Sequence, residues 1–83
     1  MRVDDFLSTV GVVKRRTVAK ELAVSGKVEV NGRRAKAACD INPGDIIHVK
    51  GKHTITVEVL AVPTGSVPKD RRGEFVKILS TSP

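Results

Sequence analysis

Residues Lys14–Leu22 read KRRTVAKEL, and residues Lys27–Lys36 read KVEVNGRRAK. The first stretch predicts the basic start of an amphipathic helix, because its apolar residues recur at helical spacing. In the second, apolar and charged residues alternate before an Asn-Gly pair, which predicts a strand and a tight hairpin. A basic helix joined to a β-hairpin is therefore the unit from which the fold and function are inferred.

Positive charge is concentrated in the first half of the chain. Residues 1–36 carry nine Lys or Arg against four Asp or Glu, whereas residues 37–83 carry six against five. Such an asymmetry predicts a polyanionic partner. Because Phe6 and Phe75 are the only aromatic residues and fit a core better than a surface, we expect recognition through phosphate contacts and shape, with little base stacking.

Two helices are predicted first. Val3, Phe6, Leu7 and Val10 share one helical face, Asp4 and Asp5 favour the first turn, and Gly11 ends the helix. The second helix spans about Arg16 to Ser25 and ends at Gly26. Its apolar stripe is formed by Val18, Ala19, Leu22 and Ala23.

Strands follow the helices. The hairpin has the return arm Arg33 to Lys36, and Asn42-Pro43-Gly44-Asp45 predicts a turn. Further strands are expected at Ile46–Lys50, His53–Leu60 and Phe75–Leu79, with a flexible loop at about 63–74 and a frayed tail from Ser80 to Pro83. The predicted fold class is α+β, with two N-terminal helices packed on a small, mostly antiparallel, curled β-sheet.

Length and composition predict one small domain, residues 1–83. A single cysteine, Cys39, fits a reducing cytosol and is expected to be a small buried residue. No apolar run approaches the ~20 residues of a membrane helix, and acids stand where a signal peptide would be apolar. We expect a soluble, cytoplasmic, monomeric protein without membrane contact.

The motifs resemble a known family. The chain reads RVDxFL from residue 2, KRRTxAxxL from residue 14 and GxVxVNG from residue 26, followed by Lys36 and by Pro43-Gly44-Asp45 before a strand. This pattern, with its core at about residues 2–50, resembles the ribosomal-protein S4-type RNA-binding domain. It is most similar to the short, stand-alone bacterial members, which include ribosome quality-control factors and the fifteen-kilodalton ribosomal heat-shock protein.

The resemblance implies binding of structured RNA by a basic face around the second helix. In the quality-control members, that RNA is ribosomal RNA of the large ribosomal subunit together with peptidyl-transfer RNA, and a partner protein directs tailing of the stalled nascent chain. The matching positions are Arg2, Lys14, Arg15, Arg16, Lys20, Lys27, Asn31 and Lys36. Arg15 departs from the family, which often has Ser or Thr at this helix cap; the arginine adds charge where backbone amides already favour phosphate.

Simpler interpretations stay open for these residues. Lys14, Arg15 and Arg16 also fit a solvated loop, Arg2 fits a surface ion pair with Asp4 or Asp5, and Asn31 fits a turn residue better than a ligand. The hairpin tip adds two exposed candidates, Arg33 and Arg34.

The sequence lacks the motifs that catalytic and metal-binding functions require. The sequence has no phosphate-binding Gly-rich loop, no nucleophile elbow and no metal-binding helix, and His48 and His53 have no ligand neighbours at suitable spacing. We therefore predict a non-catalytic binding module without cofactors. The alternatives are an S4-like factor in ribosome assembly or regulation, and a basic protein-protein adaptor, which would expose an apolar patch.

Overall fold

The computed structural model describes residues 1–82, which form two α-helices and five β-strands. These are α1 Val3–Thr9, α2 Arg16–Val24, β1 Val28–Val30, β2 Arg33–Arg34, β3 Ile46–Val49, β4 Thr54–Val59 and β5 Val76–Ser82. The strands form one sheet in the order β2-β1-β3-β4-β5, and every pairing is antiparallel. The predicted α+β class, with its helices at the N-terminus, is confirmed.

The core lies between the helices and one face of the sheet. Phe6 and Leu7 of α1 are completely buried, as are Ile47 of β3 and Val57 of β4. Burial of one such side chain contributes about 1.5–3 kcal/mol. In β4, Val57 and Val59 are buried while the residues between and before them are only partly buried, so burial alternates over the second half of the strand.

The start of α1 is anchored by the segment before β3. The Val3 N–H donates to the Cys39 carbonyl over 2.7 Å, and the Asp4 N–H donates to the Ala37 carbonyl over 3.3 Å. These bonds satisfy amides that a helix N-terminus otherwise leaves free. Cys39 itself is half-buried, so its expected burial is only partial.

The Asn-Gly hairpin forms as predicted and is tied to a second turn. Asn31 and Gly32 both have positive φ, 53° and 82°, as a type I′ turn requires. The Asn31 Nδ2 donates to Asp45 Oδ1 over 3.0 Å, and its Oδ1 accepts the Ile46 N–H over 2.9 Å. The hairpin and the start of β3 are thereby locked together.

The apolar face of α2 is narrower than predicted. Ala19 and Ala23 are buried, but Leu22 is only partly buried and Val18 is 41% exposed. Two alanines form the buried contact surface of this helix, and their small side chains let a short helix pack closely. Val18 belongs to the predicted apolar stripe by its spacing, but it is not part of the core.

The C-terminal region is more ordered than predicted. A six-residue 3-10 helix, Lys69–Glu74, occupies part of the expected loop, and β5 continues to Ser82 instead of stopping at Leu79. The extension forms because Thr54, Ile55 and Thr56 of β4 pair with the last residues of β5, after a register shift at Thr56/Val57. Regular pairing thus replaces the frayed tail over Ser80–Ser82.

Candidate nucleic-acid interface

Two candidate arginines meet at one buried carboxylate, that of Asp4. Arg2 donates a hydrogen bond from Nε to Asp4 Oδ1 over 3.2 Å and another from Nη2 to Asp4 Oδ2 over 3.1 Å. The Arg16 Nε lies 3.7 Å from the same Oδ2 and 3.9 Å from Asp5 Oδ1. Asp4 is 1% exposed and also accepts the Asp5 N–H over 2.8 Å. The carboxylate therefore joins the start of α1 to the start of α2.

The two guanidinium groups keep accessible surface beside this carboxylate. The Arg2 side chain is 41% exposed and that of Arg16 is 52% exposed. A guanidinium has five N–H donors, so contacts with Asp4 leave donors for a ligand. Pairing with a buried anion also restricts where each guanidinium can point. Arg2 is thus held by two hydrogen bonds, and Arg16 lies within ion-pair distance of the same carboxylate.

The loop before α2 adds charge and free backbone donors. Lys14 and Arg15 are exposed, and Arg15 is the N-cap residue with extended backbone, φ −135° and ψ 144°. No side chain within residues 1–82 caps the first turn of α2. The exposed N-terminus of a helix with adjacent cations is suited to bind phosphate oxygens.

The other basic candidates lie on α2 and on the segments that follow it. Lys20 follows Arg16 by one helical turn, so both lie on the same side of α2. Lys27, Arg33 and Lys36 are exposed on the segments that follow. The name "basic face" is used below for the exposed or partly exposed cations Arg2, Lys14, Arg15, Arg16, Lys20, Lys27, Arg33, Arg34 and Lys36.

The Arg34 side chain lies close to the end of α2. Gly26 has φ +75°, and a Cβ built there would lie 2.7 Å from the Arg34 Nε and 2.6 Å from its Cζ. The positive φ favours glycine at this position, and the guanidinium occupies the space beside it. The Arg34 side chain therefore reaches from β2 to the segment that follows α2.

Asn31 differs from the other candidates, because its side chain is already bonded within the protein. Its amide and carbonyl groups join the hairpin to Asp45 and Ile46, as described above. These bonds account for the residue as a turn element, which was the simpler interpretation of the sequence.

The sequence did not reveal the contacts made by two residues, Asp4 of α1 and Arg72 of the 3-10 helix. Asp4 was expected as a first-turn acid or as a surface ion-pair partner of Arg2, but its burial and its second partner Arg16 were not expected. The available signal is its position three residues before Leu7, on the buried side of α1. Arg72 was assigned to a loop, yet its guanidinium covers Gly11, whose φ is +77°. The Arg72 Nε is buried and lacks a hydrogen-bond partner within residues 1–82. Nothing in the local sequence indicates this distant contact.

Two acids outside the helices α1 and α2 are paired with basic residues. A hydrogen bond from Lys50, 2.9 Å from Glu29, lowers the pKa of that carboxyl group. Hydrogen bonding to Arg71 likewise lowers the pKa of Glu74. At neutral pH both carboxylates are charged, and the positive charge of each partner is balanced locally.

A metal-ligand cluster and a membrane-spanning helix were sought in residues 1–82. Residues 1–82 contain no group of three His, Cys, Asp or Glu side chains that could hold a metal ion. His48 Nδ1 lies 2.8 Å from Thr56 Oγ1 across two strands. Over the same residues, no helix is long and apolar enough to span a membrane.

Comparison with known proteins identifies the family. The S4 domain matches residues 1–47, which is more than half of the chain and includes both helices, the hairpin and the start of β3. The chain belongs to the S4 domain family. The resemblance drawn from the basic helix and the Asn-Gly hairpin is confirmed.

Several relatives of this S4 domain share a name. Over 60 residues the chain is 47% identical to the RQC P-site tRNA stabilizing factor of Bacillus subtilis, covering 71% of this chain and 70% of the relative. The protein of that name from Streptococcus pneumoniae is 35% identical over 82 residues, covering 98% of this chain and 93% of the relative. Among solved structures, Heat Shock Protein 15 of Vibrio cholerae superimposes with a TM-score of 0.86, covering 96% of this chain and 82% of that one. At 22% identity, this last similarity shows a shared fold.

Proposed function

We propose that this S4 domain is a non-catalytic factor that binds ribosomal RNA of the large subunit and peptidyl-transfer RNA during quality control of stalled nascent chains. The observation that carries the proposal is the convergence of Arg2 and Arg16 on Asp4 beside the uncapped start of α2. Relatives named as RQC P-site tRNA stabilizing factors support the choice of RNA. The protein then acts in the cytoplasm, as a single domain and a monomer, together with a tailing factor.

The chemistry of the basic face suits structured RNA. The cations come from the N-cap of α1, the loop before α2, α2 itself and the hairpin with the segment after it, so one small domain can contact several phosphates. Phosphate contacts position a protein on nucleic acid. A domain without catalytic groups acts by favouring one state of its partner, and only to the extent that its affinities for the two states differ.

The salt dependence of binding to isolated large subunits tests the RNA contact. Each neutralised phosphate contributes about 0.7–0.9 to the slope of log affinity against log salt, so five contacts give a slope of about −3 to −5. Nuclease treatment of the subunits should abolish binding. A slope near zero, or binding that survives nuclease, would contradict the proposal.

A protein-protein adaptor is the second candidate function. The observation that favours it is exposed apolar surface on β5, where Ile78 is 59% exposed and Leu79 is 44% exposed. This strand forms the opposite edge of the sheet from β2. The affinity of an adaptor that uses β5 for its protein partner would depend only weakly on salt. Replacing the arginines of the basic face would leave that affinity unchanged.

A further inference from the structure

A pocket lies between the C-terminal half of α2 and the segment that follows β2. Its volume is about 450 Å³, within the range of small-molecule sites. The lining residues are Ala23, Val24, Arg34, Ala35, Lys36 and Ala37.

The floor of the pocket is apolar and only partly covered. Ala23, Ala35 and Ala37 are buried, whereas Val24 is 72% exposed at the last position of α2. An aliphatic side chain left this open loses the free energy that burial would give it. The pocket therefore offers apolar surface that a ligand could cover.

The rim of the pocket is cationic. Arg34 and Lys36 are both exposed, and neither forms an ion pair with an acid within residues 1–82. The guanidinium of Arg34 lies over Gly26 at the edge of the pocket. The pocket thus combines an apolar floor with a guanidinium and a second cation.

One side of α2 connects this pocket to the arginine pair at the other end of the helix. Arg16, Lys20 and Val24 follow one another at intervals of four residues, which places them along the same side of an α-helix. A strand of RNA whose phosphates contact Arg16 and Lys20 would therefore reach Val24 next. The pocket continues the basic face instead of forming a separate surface.

We propose that this pocket binds one unpaired nucleobase of the RNA, with the neighbouring phosphate contacted by Arg34 or Lys36. The proposal rests on the proposed function and deepens it. A nucleotide combines a flat, weakly polar base with an anion, which matches an apolar floor with a cationic rim. Proteins bind unstacked bases against arginine planes as well as aromatic rings. Arg34 supplies this plane in a chain whose only aromatic residues are Phe6, which is buried, and Phe75, which packs against the core.

Nucleoside 5′-monophosphates provide a direct probe. The four nucleotides, and ribose 5-phosphate as a control without a base, are titrated into the isotopically labelled protein while backbone amide signals are followed by NMR. We expect at least one nucleotide to shift the amides of Ala23, Val24, Ala35 and Ala37, and ribose 5-phosphate to leave them unchanged. Equal shifts with both kinds of probe, or no nucleotide response at the pocket, would overturn the proposal. An apolar peptide side chain as the true ligand would produce the latter result.

Two matched substitutions on α2 locate the contact. Val24→Ser removes exposed apolar surface from the pocket, while Val18→Ser changes an exposed valine of the same helix that does not line it. We expect Val24→Ser to weaken nucleotide binding about fivefold, and Val18→Ser to leave it unchanged. Equal effects from both variants would contradict a base at Val24. The amide spectra establish that each variant is folded.

The same variants separate this proposal from the broader one. Val24→Ser retains every cation of the basic face, so its salt-dependent binding to large subunits should keep the slope of the unaltered protein. If the unaltered protein shows a normal slope but binds no nucleotide, the base pocket is rejected and RNA binding stays intact. If the affinity of the unaltered protein for large subunits does not depend on salt, both the RNA-binding proposal and the base pocket are rejected.

Discussion

Arg2 and Arg16 are joined through the buried carboxylate of Asp4, which lies 3.1 Å from a nitrogen of the first and 3.7 Å from Nε of the second. The contact fixes the relative placement of the two helix starts and of the cations that they carry. A buried carboxylate is costly unless it is paired and hydrogen-bonded. The partners of Asp4 are Arg2 and Arg16, the two residues proposed to contact RNA. The stability of the fold and the geometry of the interface therefore both depend on the Asp4 carboxylate.

Replacing Arg16 should weaken RNA binding without unfolding the domain. Arg16→Ala removes a half-exposed cation at the uncapped start of α2, and Asp4 keeps its bidentate partner Arg2. We expect a loss of about 1–3 kcal/mol in affinity for large-subunit RNA. Lys77→Ala, on the far edge strand β5, is the control with little effect. Equal losses in the two variants, or an unfolded Arg16→Ala protein by circular dichroism, would show that the basic face is wrongly placed.

Removing the charge of Asp4 should destabilise the fold more than removing that of its neighbour. Asp4→Asn weakens the charge-assisted hydrogen bonds that Arg2 donates to this side chain. We expect the free energy of unfolding to fall by about 1–3 kcal/mol. Asp5 is half-buried and its contact with Arg16 is 3.9 Å long, so Asp5→Asn should change stability by about 0.5 kcal/mol or less. Urea denaturation measures both. Similar losses would mean that Asp4 does not organise the helix starts.

Asn31 should contribute to stability through its side chain. Asn31→Ala breaks the bonds to Asp45 and Ile46 and places alanine at φ 53°. We expect a loss of about 1–3 kcal/mol in the free energy of unfolding. Asn42→Ala is the control in the neighbouring turn, where the backbone N–H makes the hydrogen bond to Asp45. If thermal unfolding shows no difference between these variants, the turn interpretation of Asn31 is wrong.

The Glu29–Lys50 pair should make a pH-dependent contribution to stability. The hydrogen bond from Lys50 lowers the pKa of Glu29 from its ordinary value of 4.5. A carboxyl group with a lowered folded-state pKa stabilises the protein above its ordinary pKa, and this stabilisation is lost as the pH falls through the lowered pKa. Lys50→Met should therefore be less stable than the unaltered protein at neutral pH, with the difference disappearing in acid. A difference that stays constant with pH would exclude this pair as its source.

Local sequence patterns were sufficient for the elements but not for the contacts between them. The change from helical to alternating spacing gave both helices and the hairpin, because backbone conformation there follows neighbouring residues. The pairing of Arg2 with Arg16 through Asp4 depends on how two helices pack, and no local pattern carries that information. The contact of Arg34 with Gly26 was missed for the same reason. The sequence indicated that Gly26 ends α2, but not that the Arg34 guanidinium lies beside it.

Errors in the predicted elements also have physical causes. Val18 fits an apolar stripe by spacing, but only Ala19 and Ala23 are buried on α2. The 3-10 helix at Lys69–Glu74 is polar and short, so it has no hydrophobic period by which to be recognised. The end of β5 is polar as well, and it becomes a strand because Thr54–Thr56 of β4 pair with it.

The affinity for large subunits with and without peptidyl-transfer RNA tests the proposed function most directly. We expect obstructed subunits to bind about tenfold more tightly than empty ones, which corresponds to roughly 1.4 kcal/mol. Arg2→Ala and Arg16→Ala should reduce this difference, whereas Lys77→Ala should preserve it. Equal affinity of the unaltered protein for the two kinds of subunit would contradict a role in quality control.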